Sequence, residues 1–173
     1  RILCAYEAYN HLLAFNPYSI EDLLKAHKIL MADLVKQAGQ FRSGGVGIFR
    51  GTQVVHMAPP AEMVYSHISN LLQWAESSKE HPLIKSCVFH YEFEYIHPFL
   101  DGNGRMGRMW NTLLLYQWKP IFAWIPVESI IRERQADYYD ALGQADSRAD
   151  AAPFVEFLLQ AILDTLKSFE QQD

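Results

Sequence analysis

The sequence predicts an all-α protein, a single helical domain that carries one small β-hairpin. Three observations support this fold class. Apolar residues recur at three- and four-residue spacing through most of the 173 residues. Only the stretch between Gly39 and Pro60 breaks that rhythm, with clustered glycines and two short β-prone pieces around 46–49 and 53–57. No internal repeat, low-complexity tract or linker divides the chain, so residues 1–173 read as one domain. Half of the residues are hydrophobic, and ten Phe, nine Tyr and four Trp are enough to build a sizeable core.

The elements follow in order. Ile2, Leu3, Tyr6 and Leu13 suit a first helix that stops at Asn16-Pro17. Ser19 is placed as the N-cap of the next, with Glu21 and Asp22 in the first turn, where negative charge is favoured. Leu23, Leu24, His27, Leu30, Met31 and Leu34 supply its apolar stripe up to Gly39. Arg50-Gly51-Thr52 separates the two β-prone pieces and marks the hairpin turn. Pro59-Pro60 opens a helix through about Trp74, and another spans about 83–95 with Ile84, Val88, Tyr91 and Tyr95 as one face. Met106, Met109, Trp110, Leu113, Leu114 and Trp118 define a buried helix that ends at Pro120. Two more are expected at 127–142 and 153–169.

Charge and composition narrow the function. A net charge of −5 argues against a broad nucleic-acid-binding face. No apolar run approaches the ~20 residues of a membrane helix, and residues 1–16 lack a signal-peptide pattern. Cys4 and Cys87 lie far apart and form no CxxC, which favours a reducing, cytoplasmic setting. The chain starts at Arg1, inside a helical pattern and without a methionine, so a missing upstream segment is expected.

The chemistry concentrates in His97-Pro98-Phe99-Leu100-Asp101-Gly102-Asn103-Gly104-Arg105-Met106-Gly107-Arg108, which joins two helices. Gly102 and Gly104 let a ligand approach the main chain. The helix that starts near Gly104 turns unpaired N–H groups and its positive end into the loop, a ready anion site. Arg105 and Arg108, three apart, flank one face of that first turn. Asp101 adds a hard oxygen ligand, and one carboxylate with substrate phosphates is a usual Mg²⁺ environment. His97 has an ordinary pKa of ~6.5, suited to accepting a proton near neutrality. Together these features point to transfer of a phosphoryl-containing group to a hydroxyl. The plain alternatives are a glycine turn with two solvated arginines, and Asp101 as a helix cap.

This stretch resembles the Fic family signature, HPFx[D/E]GNGRxxR, at every specified position. His90, Phe93 and Ile96 match the H-x-x-F-x-x-I approach to it, and residues of about 20–160 fit a Fic core. The resemblance implies a protein adenylyltransferase that moves AMP from ATP to a Tyr, Thr or Ser hydroxyl. His97 would be the general base and Asp101 would hold Mg²⁺, or Mn²⁺ in its place. Gly102, Asn103 and Gly104 would form the anion hole, Arg105 and Arg108 would bind the outer phosphates, and Phe99 would anchor the loop. Tyr138 and Tyr139 fall where the family has a nucleotide-contacting pair, of which one should reach the ligand. The ribose contact, often asparagine in the family, falls on Asp146. The hairpin, through Gln53, Val54, Val55 and His56, would dock a protein target as an added strand.

His90, Glu94 and His97 do not form the HExxH pattern of zinc proteases, so His90 and Glu94 are read as supporting groups. Arg42 and Arg50 are read as solvated. The nearest match to the family's inhibitory [S/T]xxxE[G/N] helix is Ser129 to Glu133, but Arg134 follows where Gly or Asn is required. Inhibition is therefore expected from an upstream helix or a regulatory partner, and a homodimer is compatible with that. Rival readings are AMP removal, transfer of another phosphate-containing group, a metal-dependent phosphohydrolase, or a nucleotide-responsive binding module without catalysis.

Overall fold

A computed structural model of the chain describes residues 10–125 and 127–170. The expected first helix falls mostly outside these residues, as do Ile2, Leu3, Cys4 and Tyr6, although residues 10–12 are helical. Helix α1 spans Ile20–Met31, and Ser19 caps it by accepting from the Asp22 N–H at 3.2 Å. It ends before Gly39, and residues 32–39 continue largely as turns. The hairpin follows, with β1 at Gly47–Arg50 and β2 at Gln53–Met57. Gly51 at φ 63° makes the two-residue turn, and a register shift between Ile48 and Phe49 twists the pair. Helix α2 is Val64–Ser77, α3 is Pro82–Ile96 and α4 is Asn103–Trp118.

The region after α4 departs from expectation. One helix over 127–142 is instead two, α5 at Val127–Glu133 and α6 at Gln135–Arg148, before α7 at Ala152–Glu170. The break falls at Arg134, which donates to Asp164 of α7 at 2.8 Å and lies over the Phe157 ring. That tertiary anchoring overrides a continuous helical pattern.

Helices α3 and α4 form the centre. The first core cluster packs α1 and α2 against them through Leu23, Ile68, Phe93 and Trp110; the second packs α5, α6 and α7 through Cys87, Leu115, Leu142 and Phe154. Helix α3 therefore buries residues nearly all round, among them Phe89, His90, Phe93 and Glu94. The single face expected from Ile84, Val88, Tyr91 and Tyr95 is not the organising one, and Tyr95 is exposed. The motif loop is the link between these two central helices, so packing on both sides fixes its ends. Among the described residues, no helix is long and apolar enough to cross a membrane.

Candidate active site

The loop is held by its own buried polar groups. Asn103 accepts from the Phe99 N–H at 2.8 Å and donates to the Phe99 carbonyl at 2.7 Å, stapling the turn. The Phe99 ring, fully buried, stacks on His27 with centroids 3.7 Å apart. His27 donates from Nε2 to the Asp101 carbonyl at 2.9 Å, while its Nδ1 accepts from the Gly39 N–H. Burial disfavours its charged form and lowers its pKa, in keeping with a neutral ring that both donates and accepts.

Arg42 overturns the expectation of a solvated side chain. It is buried, and its guanidinium donates to the carbonyls of His97 at 2.7 Å, Ile96 at 3.1 Å, Gly44 at 2.9 Å and Pro59 at 2.6 Å. It thus ties the turn at His97 to the root of the hairpin. His97 itself sits in the left-handed region at φ 50°, unusual for a residue with a side chain, and these bonds hold it there.

A cavity of about 400 Å³ opens above the loop, lined by His97, Asp101, Gly102, Asn103, Gly104, Arg105 and Arg108. The first helical bond of α4 runs from the Met106 N–H to the Gly102 carbonyl, so the three preceding N–H groups have no intrahelical acceptor. The side chain of Asn103 is spent on the staple, leaving its main chain for an anion. Gly102 takes φ 87°, and a Cβ there would meet the Met31 sulfur at 2.8 Å. The side chain of Asp101 is well exposed, accepts from the Gly102 N–H at 2.6 Å, and lies 3.5 Å from Arg105. Arg108 lies 3.6 Å from Glu128 of α5.

The ring of His97 has a defined polarity. Its Nδ1 lies 3.2 Å from the Glu94 main-chain carbonyl, an acceptor only, so the proton belongs on Nδ1 and the lone pair on Nε2. Glu94 Oε2 stands 3.6 Å from the same nitrogen. A single exposed carboxylate with phosphate oxygens fits the donor set of Mg²⁺, and among the described residues no three His, Cys, Asp or Glu cluster as an all-protein metal site.

Both tyrosines of the pair border the loop cavity, but they differ in exposure. Tyr138 is buried with its hydroxyl 3.2 Å from His90, whereas the half-buried Tyr139 lies between the loop cavity and a second one of about 460 Å³. That second cavity separates β2 from α6 and includes Gln53, Val55, Gly143 and Asp146. His56 does not offer its side chain to a target: it is buried, 2.7 Å from Asp146 and 2.8 Å from the Tyr95 carbonyl. Gly47, Ile48 and Phe49 of β1, not Gln53 to His56, line the His97 cavity. Sequence reasoning missed the place of β1 at this cavity and the roles of His27 and Arg42, whose partners Asp101, Ile96 and His97 lie far along the chain and leave no local signal.

A half-buried histidine, a helix N-terminus and two arginines surround one cavity on an α-helical scaffold, an arrangement suited to an anion such as phosphate. The model of the Fic/DOC family matches residues 17–115, and the chain belongs to that family. Curated relatives named Protein adenylyltransferase Fic include one from Nematostella vectensis, 28% identical over 87% of this chain and 34% of its own length. Another, from Culex quinquefasciatus, is 32% identical over 86% of this chain and 28% of its own. This chain therefore spans about a third of those proteins. A Fic family protein from Desulfovibrio desulfuricans G20 superposes with a TM-score of 0.94 at 55% identity, covering 98% of this chain and 52% of that one. Fic-1 from C. elegans shares the fold, with a TM-score of 0.75 at 21% identity over 99% of this chain and 52% of that one.

Proposed function

We infer that the chain transfers AMP from ATP to a hydroxyl on a protein, with His97 as the general base. The polarity of the His97 ring carries this reading: Nδ1 is committed to a carbonyl, and the ring borders the anion cavity with Nε2 free to accept a proton. The hydroxyl gives its proton to Nε2 as its oxygen attacks the α-phosphorus, and pyrophosphate leaves. Free N–H groups at the start of α4, with Arg105 and Arg108, would receive the phosphate charge. Asp101 would hold Mg²⁺ with phosphate oxygens, and the ion would neutralise charge on the phosphates. Tyr139 and the adjoining cavity would take the nucleoside.

The target segment would add to the hairpin through main-chain bonds along β1, because β1 borders the cavity. Exposed Phe49 and Leu100 at its rim would contact apolar side chains that flank the hydroxyl. Homologues named as adenylyltransferases support AMP as the group. The test is α-labelled ATP with a lysate: label retained on protein is expected, and His97→Ala should lower it at least about 10²-fold while ATP binding persists. Released AMP or phosphate without labelled protein would establish hydrolysis instead. Unchanged labelling by His97→Ala would remove the base assignment.

A further inference from the structure

Behind His97 lies a carboxylate whose position packing alone does not explain. Glu94 of α3 is buried, as are its neighbours His90 and Tyr138. Three buried side-chain atoms among the described residues have no hydrogen-bond partner: His90 Nδ1, Glu94 Oε1 and Arg108 Nε. The first two belong to this one cluster, while Arg108 Nε faces Glu128 at 3.6 Å. A buried, incompletely paired charge is costly, and an apolar residue of similar size would ordinarily pack better. Such departures concentrate where function requires them.

The surroundings indicate what the carboxylate does. Oε2 is 3.6 Å from His97 Nδ1, and Oε1 is 3.9 Å from His90 Nε2. Helix α4 presents Gly107 to it, where a Cβ would come within 2.7 Å of Oε1, together with the Arg108 guanidinium. Helix α6 presents the Tyr138 hydroxyl, which lies 3.2 Å from His90 Nε2 and faces the Glu94 carboxylate. Burial pushes the Glu94 carboxyl up, but the Nδ1 proton of His97 and the charges of His97, His90 and Arg108 outweigh it, so the group is held below the usual carboxylate range.

We propose that Glu94 is the positioning residue of His97. Its carboxylate reinforces the main-chain carbonyl in keeping the proton on Nδ1, aims Nε2 into the cavity, and stabilises the imidazolium that forms when Nε2 takes the hydroxyl proton. No proton passes to Glu94; the Nδ1–H bond stays intact and only the charge beside the carboxylate changes. This role rests on His97 acting as the base, but the ring geometry can be measured without activity. Gly107 follows from the same arrangement, because any side chain there would displace the carboxylate.

The experiment pairs Glu94→Gln with ¹⁵N NMR of histidine-labelled protein, in which His97→Ala assigns the signal. Wild-type His97 should show the Nδ1–H tautomer near neutral pH, and Glu94→Gln should shift it towards a mixture. The same variant should lower the AMP-transfer kcat by about 10²-fold or more, with the ATP Kd within about threefold. An Nε2–H tautomer in the wild type would overturn the proposal even if the variant does not fold. So would a Glu94→Gln protein whose tautomer and kcat both stay as in the wild type. Should His97→Ala retain transfer, the base assignment fails while the tautomer result still reports on Glu94.

Discussion

The motif loop and the hairpin face each other across one cavity, yet they are held by different means. Around the loop, Asn103, His27 and Arg42 are all buried and spend their polar atoms on loop main chain. The hairpin is a two-stranded ribbon that exposes Phe49, Val54 and Met57. It is fastened to the helices by Ile48, by the His56–Asp146 contact and by the Arg50–Asp140 pair. A reaction that positions a base and phosphates needs the first kind of rigidity. Recognition of a chain segment tolerates the second, because main-chain pairing supplies affinity while exposed side chains set preference.

The largest effect should come from the residue that joins the two regions. Arg42→Ala would leave the carbonyls of Ile96, His97, Gly44 and Pro59 without their donor. An acceptor left unpaired in the interior costs about 1–3 kcal/mol; that of Ile96 is buried and those of His97 and Pro59 are partly so, which gives an expected loss of about 4 kcal/mol. Urea denaturation measures it. A loss below about 1 kcal/mol would mean that His97 keeps its left-handed backbone unaided.

The same contrast explains what could be read from the sequence. The loop announced itself because its chemistry is contiguous: His97 to Arg108 supplies base, carboxylate, glycines and arginines within one turn-and-helix. The helical fold and the hairpin were legible for the same reason, since periodicity and turn residues are local signals. Arg42 was not, because its acceptors Ile96 and His97 are supplied by a distant turn, and a guanidinium in a glycine-rich segment looks solvated. Nor was the break at Arg134, which depends on Asp164 of a later helix. The exchange of β2 for β1 at the cavity depends on how the ribbon is laid across α6, which no strand pattern encodes.

A second, smaller effect tests how dry the support beneath the loop is. Burial lowers the pKa of His90 to about 4, against an unfolded value of ~6.5. Between those values the unfolded chain takes up a proton that the folded one refuses, so stability must fall as pH drops from about 6.5 towards 4. The shift corresponds to about 3 kcal/mol across that window, at 1.4 kcal/mol per unit. Glu94, held below its ordinary range, adds a loss of the same sign at lower pH. Denaturation measured from pH 7 to 4 should show this slope, and His90→Phe should remove most of it. A flat profile in the wild type would place water in the cluster.

The smallest effect belongs to the hairpin tip, and it is the one that separates recognition from chemistry. Arg50 and Asp140 are 2.6 Å apart, but their side chains are 49% and 57% exposed. A pair so accessible to solvent contributes about 0–1 kcal/mol, so Arg50→Ala should lower Tm by no more than a few degrees. Pyrophosphate affinity should stay within about twofold, since Arg50 lines the adjoining cavity and is absent from the one around His97. What should change, by several-fold, is KM for a protein target, because the ribbon loses one of its fastenings to α6 while its cavity-facing strand is intact. If pyrophosphate affinity fell with target KM, the hairpin would be part of the phosphate machinery, and the division between a fixed loop and an adaptable ribbon would not hold.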